Sequence, residues 1–89
     1  MKLEYPRIPP ELLDYVPLLS TGLHLLKSTW TFPEPASSER HKIKLRLCAA
    51  DAEDIDFLVK HTGQSRQSII IAALMRAKGS HRRPAPRRP

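Results

Sequence analysis

Three cations stand at alternate positions in one short run. In His41-Lys42-Ile43-Lys44-Leu45-Arg46-Leu47-Cys48, the cations Lys42, Lys44 and Arg46 alternate with the apolar Ile43, Leu45 and Leu47. Strict alternation is the period of a half-buried β-strand. An outward row of cations repels itself unless an anion lies against it, so this run offers recognition of a polyanion. Ser65, Arg66 and Gln67 offer related chemistry. A helix starting there presents free backbone N–H groups and the positive dipole end, which suits a phosphate, and Arg66 adds charge. Arg82, Arg83, Arg87 and Arg88 add a cationic tail whose contacts with a phosphate chain would be nonspecific and salt-dependent. No Ser-His-Asp, Cys-His or carboxylate pair is placed to form a catalytic set, so no enzyme is expected. His24, His41, His61 and His81 lie far apart, and with Cys48 as the lone cysteine they give no zinc spacing. No metal and no cofactor are expected.

These side chains need elements to hold them. After the strand, a helix is predicted from about Ala50 or Asp51. Asp51 and Asp54 resemble an N-cap pair, and Asp51, Glu53, Asp54 and Asp56 favour the positive end of the dipole. Ile55, Leu58, Val59 and Thr62 form its inner stripe, and Gly63 suits the left-handed position that ends it. Ser65 caps a second helix, Arg66 to about Lys78, which Gly79 stops. Ile69, Ile70, Ile71, Ala72, Ala73, Leu74 and Met75 make that helix apolar nearly all round, so it must be buried on most sides.

The chain has 89 residues, one domain at most, and so short a chain struggles to bury enough apolar surface alone. One cysteine allows no internal disulfide and fits a reducing cytoplasm. With no metal either, oligomerisation is the remaining route to stability. The net charge is +6 and the pI about 10.0, which points to nucleic acid before membrane. The charge is uneven: residues 1–40 hold four basic and five acidic side chains, net −1, and residues 41–89 hold eleven and four, net +7. No apolar run reaches the roughly 18 residues of a membrane span. The early prolines Pro6, Pro9 and Pro10 argue against a signal peptide.

Three parts follow. Residues 1–40 form a Pro/Leu-rich extension in which Leu19, Leu23, Leu26 and Trp30 share a helical face. It is expected either to pack on its own module as an arm or to dock another protein through residues 11–32. Residues 41–79 are expected to form a DNA-binding domain, and residues 80–89 a basic, disordered tail. A lone strand must pair with another chain. Two copies are therefore expected to form a homodimer, with an intermolecular antiparallel ribbon over four helices. Its core would be Ile43, Leu45, Leu47, Ile55, Leu58, Val59, Ile70, Ile71 and Leu74. The major groove of duplex DNA admits a two-stranded ribbon, where Lys and Arg donate to guanine O6 and N7.

Residues 42–78 resemble the Arc/MetJ/CopG ribbon-helix-helix family. The resemblance is carried by the alternating strand, a helix of about a dozen residues, the turn Gly63-Gln64-Ser65-Arg66-Gln67, and the apolar run Ser68-Ile69-Ile70-Ile71-Ala72-Ala73-Leu74. It implies a mainly α fold with one β-strand, intertwined as a homodimer and able to stack on neighbouring DNA sites. It places base contacts on Lys42, Lys44 and Arg46 and phosphate contacts on Ser65, Arg66 and Gln67. The implied role is sequence-specific double-stranded DNA binding by a transcriptional repressor of its own operon, cytoplasmic and associated with a bacterial nucleoid or plasmid. Alternatives are a plasmid partition or relaxosome accessory protein, and an antitoxin-like protein acting through its N-terminal segment. Two features depart from the family pattern. About forty residues precede the strand, and all three reading positions are cationic.

Overall fold

The computed structural model describes residues 2–35 and 38–80. Strand β1 (Lys2–Glu4) and strand β2 (Arg7–Ile8) open the chain. A 3-10 helix (Pro10–Leu18) leads into α1 (Leu19–Thr29). Then come β3 (His41–Lys42), β4 (Leu45–Leu47), α2 (Ala49–Thr62) and α3 (Arg66–Ser80). A strand segment followed by two helical segments thus occurs twice. No described helix is long and apolar enough to cross a membrane.

The strand at 41–47 does not wait for a second copy. β4 pairs antiparallel with β1, placing Leu3 opposite Arg46 and Glu4 opposite Leu45. β3 pairs with β2, placing Arg7 opposite Lys42 and Ile8 opposite His41. Both ladders keep one register. Between them the Ile43 N–H donates to the Pro6 carbonyl at 3.1 Å. Pro6 has no N–H to return, which interrupts the ladder at that point. The expected intermolecular ribbon is therefore corrected: residues 2–8 of the same chain supply the partner strand.

The expected dimer core is likewise filled from within. Leu45, Leu47, Ile55, Leu58, Ile70, Ile71 and Leu74 are buried, with Ile43 and Val59 partly buried against them. Their cover is α1, whose Leu19, Leu23 and Leu26 pack on α3. The leucine stripe read from the sequence is thus a core face. Its fourth member departs, however: Trp30 at the end of the stripe stays 45% exposed. It adopts φ 55° as the left-handed residue ending α1, its N–H donating to the Leu26 carbonyl at 2.7 Å. Burying each of these leucines stabilises the fold by about 1.5–3 kcal/mol relative to leaving it in water. The need for a second subunit came from an all-round apolar α3, and α1 removes that need.

Gly22 sets how near α1 lies. A Cβ built on it would fall inside the Ala73 backbone carbonyl, so only a glycine allows this approach. The other helix signals fare unevenly. Gly63 sits at φ 78° and donates its N–H to the Val59 carbonyl at 2.8 Å, as the C-terminal signal requires. The Ser68 N–H donates to Ser65 Oγ at 3.1 Å, so Ser65 caps α3. Helix α2 begins at Ala49, earlier than predicted, on an extended Cys48 with no side-chain cap. Asp51 instead accepts a hydrogen bond from Ser20 Oγ at 2.7 Å. Helix α3 runs through Gly79 to Ser80 rather than stopping.

Replacing Gly22 with Leu should push α1 off α3 and cost about 1–3 kcal/mol. Gly79→Ala, where an added Cβ meets nothing within 4 Å, should not destabilise. Urea midpoints of the two variants check this, and equal midpoints would contradict the α1–α3 contact.

Candidate nucleic-acid interface

Residues directly opposite each other on antiparallel strands project from the same face. Ile8, Leu45 and Leu47 are buried, so their face is the inner one. The outer face then carries Leu3, Tyr5 and Arg7 from one strand and Lys42, Lys44 and Arg46 from the other. All six are exposed. The three cations read from the sequence are thus brought together, and Arg7 joins them as a fourth. Lys42 Nζ lies 5.7 Å from the Tyr5 ring centroid, within cation–π range. The side chains of Arg7, Lys44 and Arg46 make no ion pair or hydrogen bond among the described residues.

The start of α3 holds this ribbon in place. Glu4 lies opposite Leu45 on the inner face. Its Oε2 accepts from Arg66 Nη2 at 3.0 Å, and Arg66 Nη1 also donates to Asp56 Oδ1. Gln67 Oε1 accepts the Arg7 backbone N–H at 3.3 Å. Of the three residues expected at phosphates, Ser65 caps its helix, while Arg66 and Gln67 spend their side chains tying α3 to the first strand. Arg66 is 28% exposed and Glu4 20%, so the pair is more shielded than a surface ion pair. Arg82, Arg83, Arg87 and Arg88 lie outside the described residues.

Leu3, Tyr5 and Arg7 escaped the sequence reading. The alternation Leu3-Glu4-Tyr5-Pro6-Arg7-Ile8 was there, but its apolar residues sit on both faces and Pro6 breaks the strand signal. Away from the ribbon, Trp30 sits near Phe57 and His61, with ring centroids 6.0 and 6.2 Å away. Beside them Lys27 Nζ is 2.7 Å from Asp54 Oδ1, joining α1 to α2. Of residues 11–32, the expected docking segment, Leu12, Leu19, Leu23 and Leu26 are in the core, and Leu13 and Trp30 are the large apolar side chains left exposed. Among the described residues no group of three His, Cys, Asp or Glu is arranged to hold a metal ion.

Compared with known proteins, the chain matches no family model, no curated sequence and no solved structure.

Arg66→Ala should leave Glu4 half-buried without its partner. The expected cost is about 1 kcal/mol, discounted for partial exposure. Hydrogen exchange should quicken at the Arg7 and Ile43 amides while α1 keeps its protection. Unchanged exchange at both amides would show that Arg66 does not hold the ribbon.

Proposed function

We propose that this chain binds double-stranded DNA by laying the outer face of its own β-ribbon in the major groove. One observation carries the reading: Arg7, Lys42, Lys44 and Arg46 share one exposed face of a two-stranded antiparallel ribbon. A groove about 12 Å wide accepts such a ribbon, and Lys and Arg donors suit guanine O6 and N7. The net charge of +6 supports attraction to the phosphate backbone.

On this reading one chain plays the part that two copies play in the ribbon-helix-helix proteins it resembles. Lys42, Lys44, Arg46 and Arg7 meet base edges. Ser65 and the first amides of α3 lie toward a phosphate, and Arg66 and Gln67 position the ribbon. Repression of transcription is the role the resemblance implies, and protection of the chain's own promoter in a footprint tests it. An antitoxin-like role drew on an uncovered leucine stripe. Burial of Leu19, Leu23 and Leu26 removes that support.

Fluorescence anisotropy with labelled duplexes tests the binding. Affinity should fall steeply as salt rises, since each neutralised phosphate releases counterions. Arg46→Ala should weaken the preferred sequence by about tenfold, and a random duplex much less. Equal losses on both would refute a base-reading role for Arg46. A folded chain with no attraction to duplex DNA at low salt would refute the function.

A further inference from the structure

A ribbon made from two copies of one strand has a two-fold axis through its centre, and DNA read by it inherits that symmetry. Here the two strands differ. Leu3 faces Arg46 and Arg7 faces Lys42, and the register that the two ladders share sets Tyr5 opposite Lys44 between them. A two-fold axis at the Tyr5–Lys44 pair would exchange Arg7 with Arg46, Tyr5 with Lys44, and Leu3 with Lys42. Only the arginines survive that exchange. They stand diagonally at opposite ends, four residues apart along the ribbon, or about 14 Å. That span is about four base-pair steps at 3.4 Å each.

The other positions are chemically unlike. Lys42 and Lys44 only donate hydrogen bonds. Leu3 is 47% exposed and Tyr5 53% exposed, an unusual use of large apolar surface on an otherwise cationic face. Apolar side chains in the major groove match the C5 methyl of thymine. Neither residue is needed for the core, which lies on the ribbon's other side.

We propose that this chain recognises a directional, non-palindromic duplex, one chain per site. Arg7 and Arg46 contact guanines about four steps apart. Lys42 beside Arg7 at one end, and Lys44 at the centre, read hydrogen-bond acceptors on base edges, while Leu3 beside Arg46 at the other end, and Tyr5 at the centre, face thymine methyls. This specificity rests on the DNA-binding reading above and adds the polarity of the site.

Selection of bound duplexes from a random pool with the full chain tests it, followed by native mass spectrometry of the winning complex. One non-palindromic motif with one chain per duplex is expected. Replacing its thymines with uracil should weaken binding by about fourfold for each contacted methyl, the transfer free energy of one buried carbon. The double variant Leu3→Lys with Tyr5→Lys should fold normally, since both side chains are exposed, and circular dichroism checks that. It should lose the uracil effect and shift the selected motif toward a palindrome. A palindromic winner for the unmodified chain, two chains per site, or a motif unmoved by the double variant would overturn the proposal. Binding that depends on salt but not on sequence would overturn it too and leave DNA binding standing. No binding at low salt would remove DNA binding itself, and the directional site with it.

Discussion

A helix apolar on nearly every side has to be covered on nearly every side. Ile69, Ile70, Ile71, Ala72, Ala73 and Leu74 of α3 are all buried, and no other described element carries so dense a demand. Burial of that surface is the dominant favourable term available to so small a fold. α1 meets the demand with Leu19, Leu23 and Leu26, and meets it closely because Gly22 has no side chain to hold the helices apart. The rest of the architecture follows from α1 lying there.

Once α1 is docked, the residues before it are carried along the edge of the same module. Residues 2–8 come beside residues 41–47 and close a ribbon within one chain. Ile8 and Leu12 enter the shared core behind them. Arg66 and Gln67 at the start of α3 then fasten the new strand, through Glu4 and the Arg7 amide. Packing, strand pairing and the proposed DNA surface are thereby linked. The outward row of cations keeps its place because the inward row beneath it is buried against helices from both halves of the sequence.

Much of this was legible from periodicity. The alternation at 41–47, the α2 stripe at Ile55 and Leu58, the Gly63 stop and the Ser65 cap all appear where the pattern placed them, because each is decided by local geometry. Of the residues assigned to a dimer core, seven are buried, and Ile43 and Val59 are partly buried against them. What the pattern did not reveal was whose surface covers them. Apolar burial is non-directional, so a helix from the same chain and one from a second copy satisfy α3 equally, and only the three-dimensional path of residues 1–40 decides between them. The first strand was hidden by Pro6 and by Leu3 and Tyr5, large apolar residues on the solvent side. Arg66 was ambiguous for a different reason. A guanidinium suits a carboxylate as well as a phosphate, and Glu4 and Asp56 are partners that sequence separation concealed.

The whole arrangement requires the ribbon to close within one chain. The most direct measurement is an isotope-filtered nuclear Overhauser experiment on a mixture of fully labelled and unlabelled protein. Leu3 with Arg46 and Arg7 with Lys42 are non-hydrogen-bonded antiparallel pairs, whose Cα atoms approach to about 4.5 Å and whose Hα atoms face each other. The account predicts strong Hα–Hα contacts for both pairs inside the labelled chain and none between labelled and unlabelled chains. Contacts that cross from one chain to the other would contradict it, and would return the ribbon to an exchange of strands between two copies.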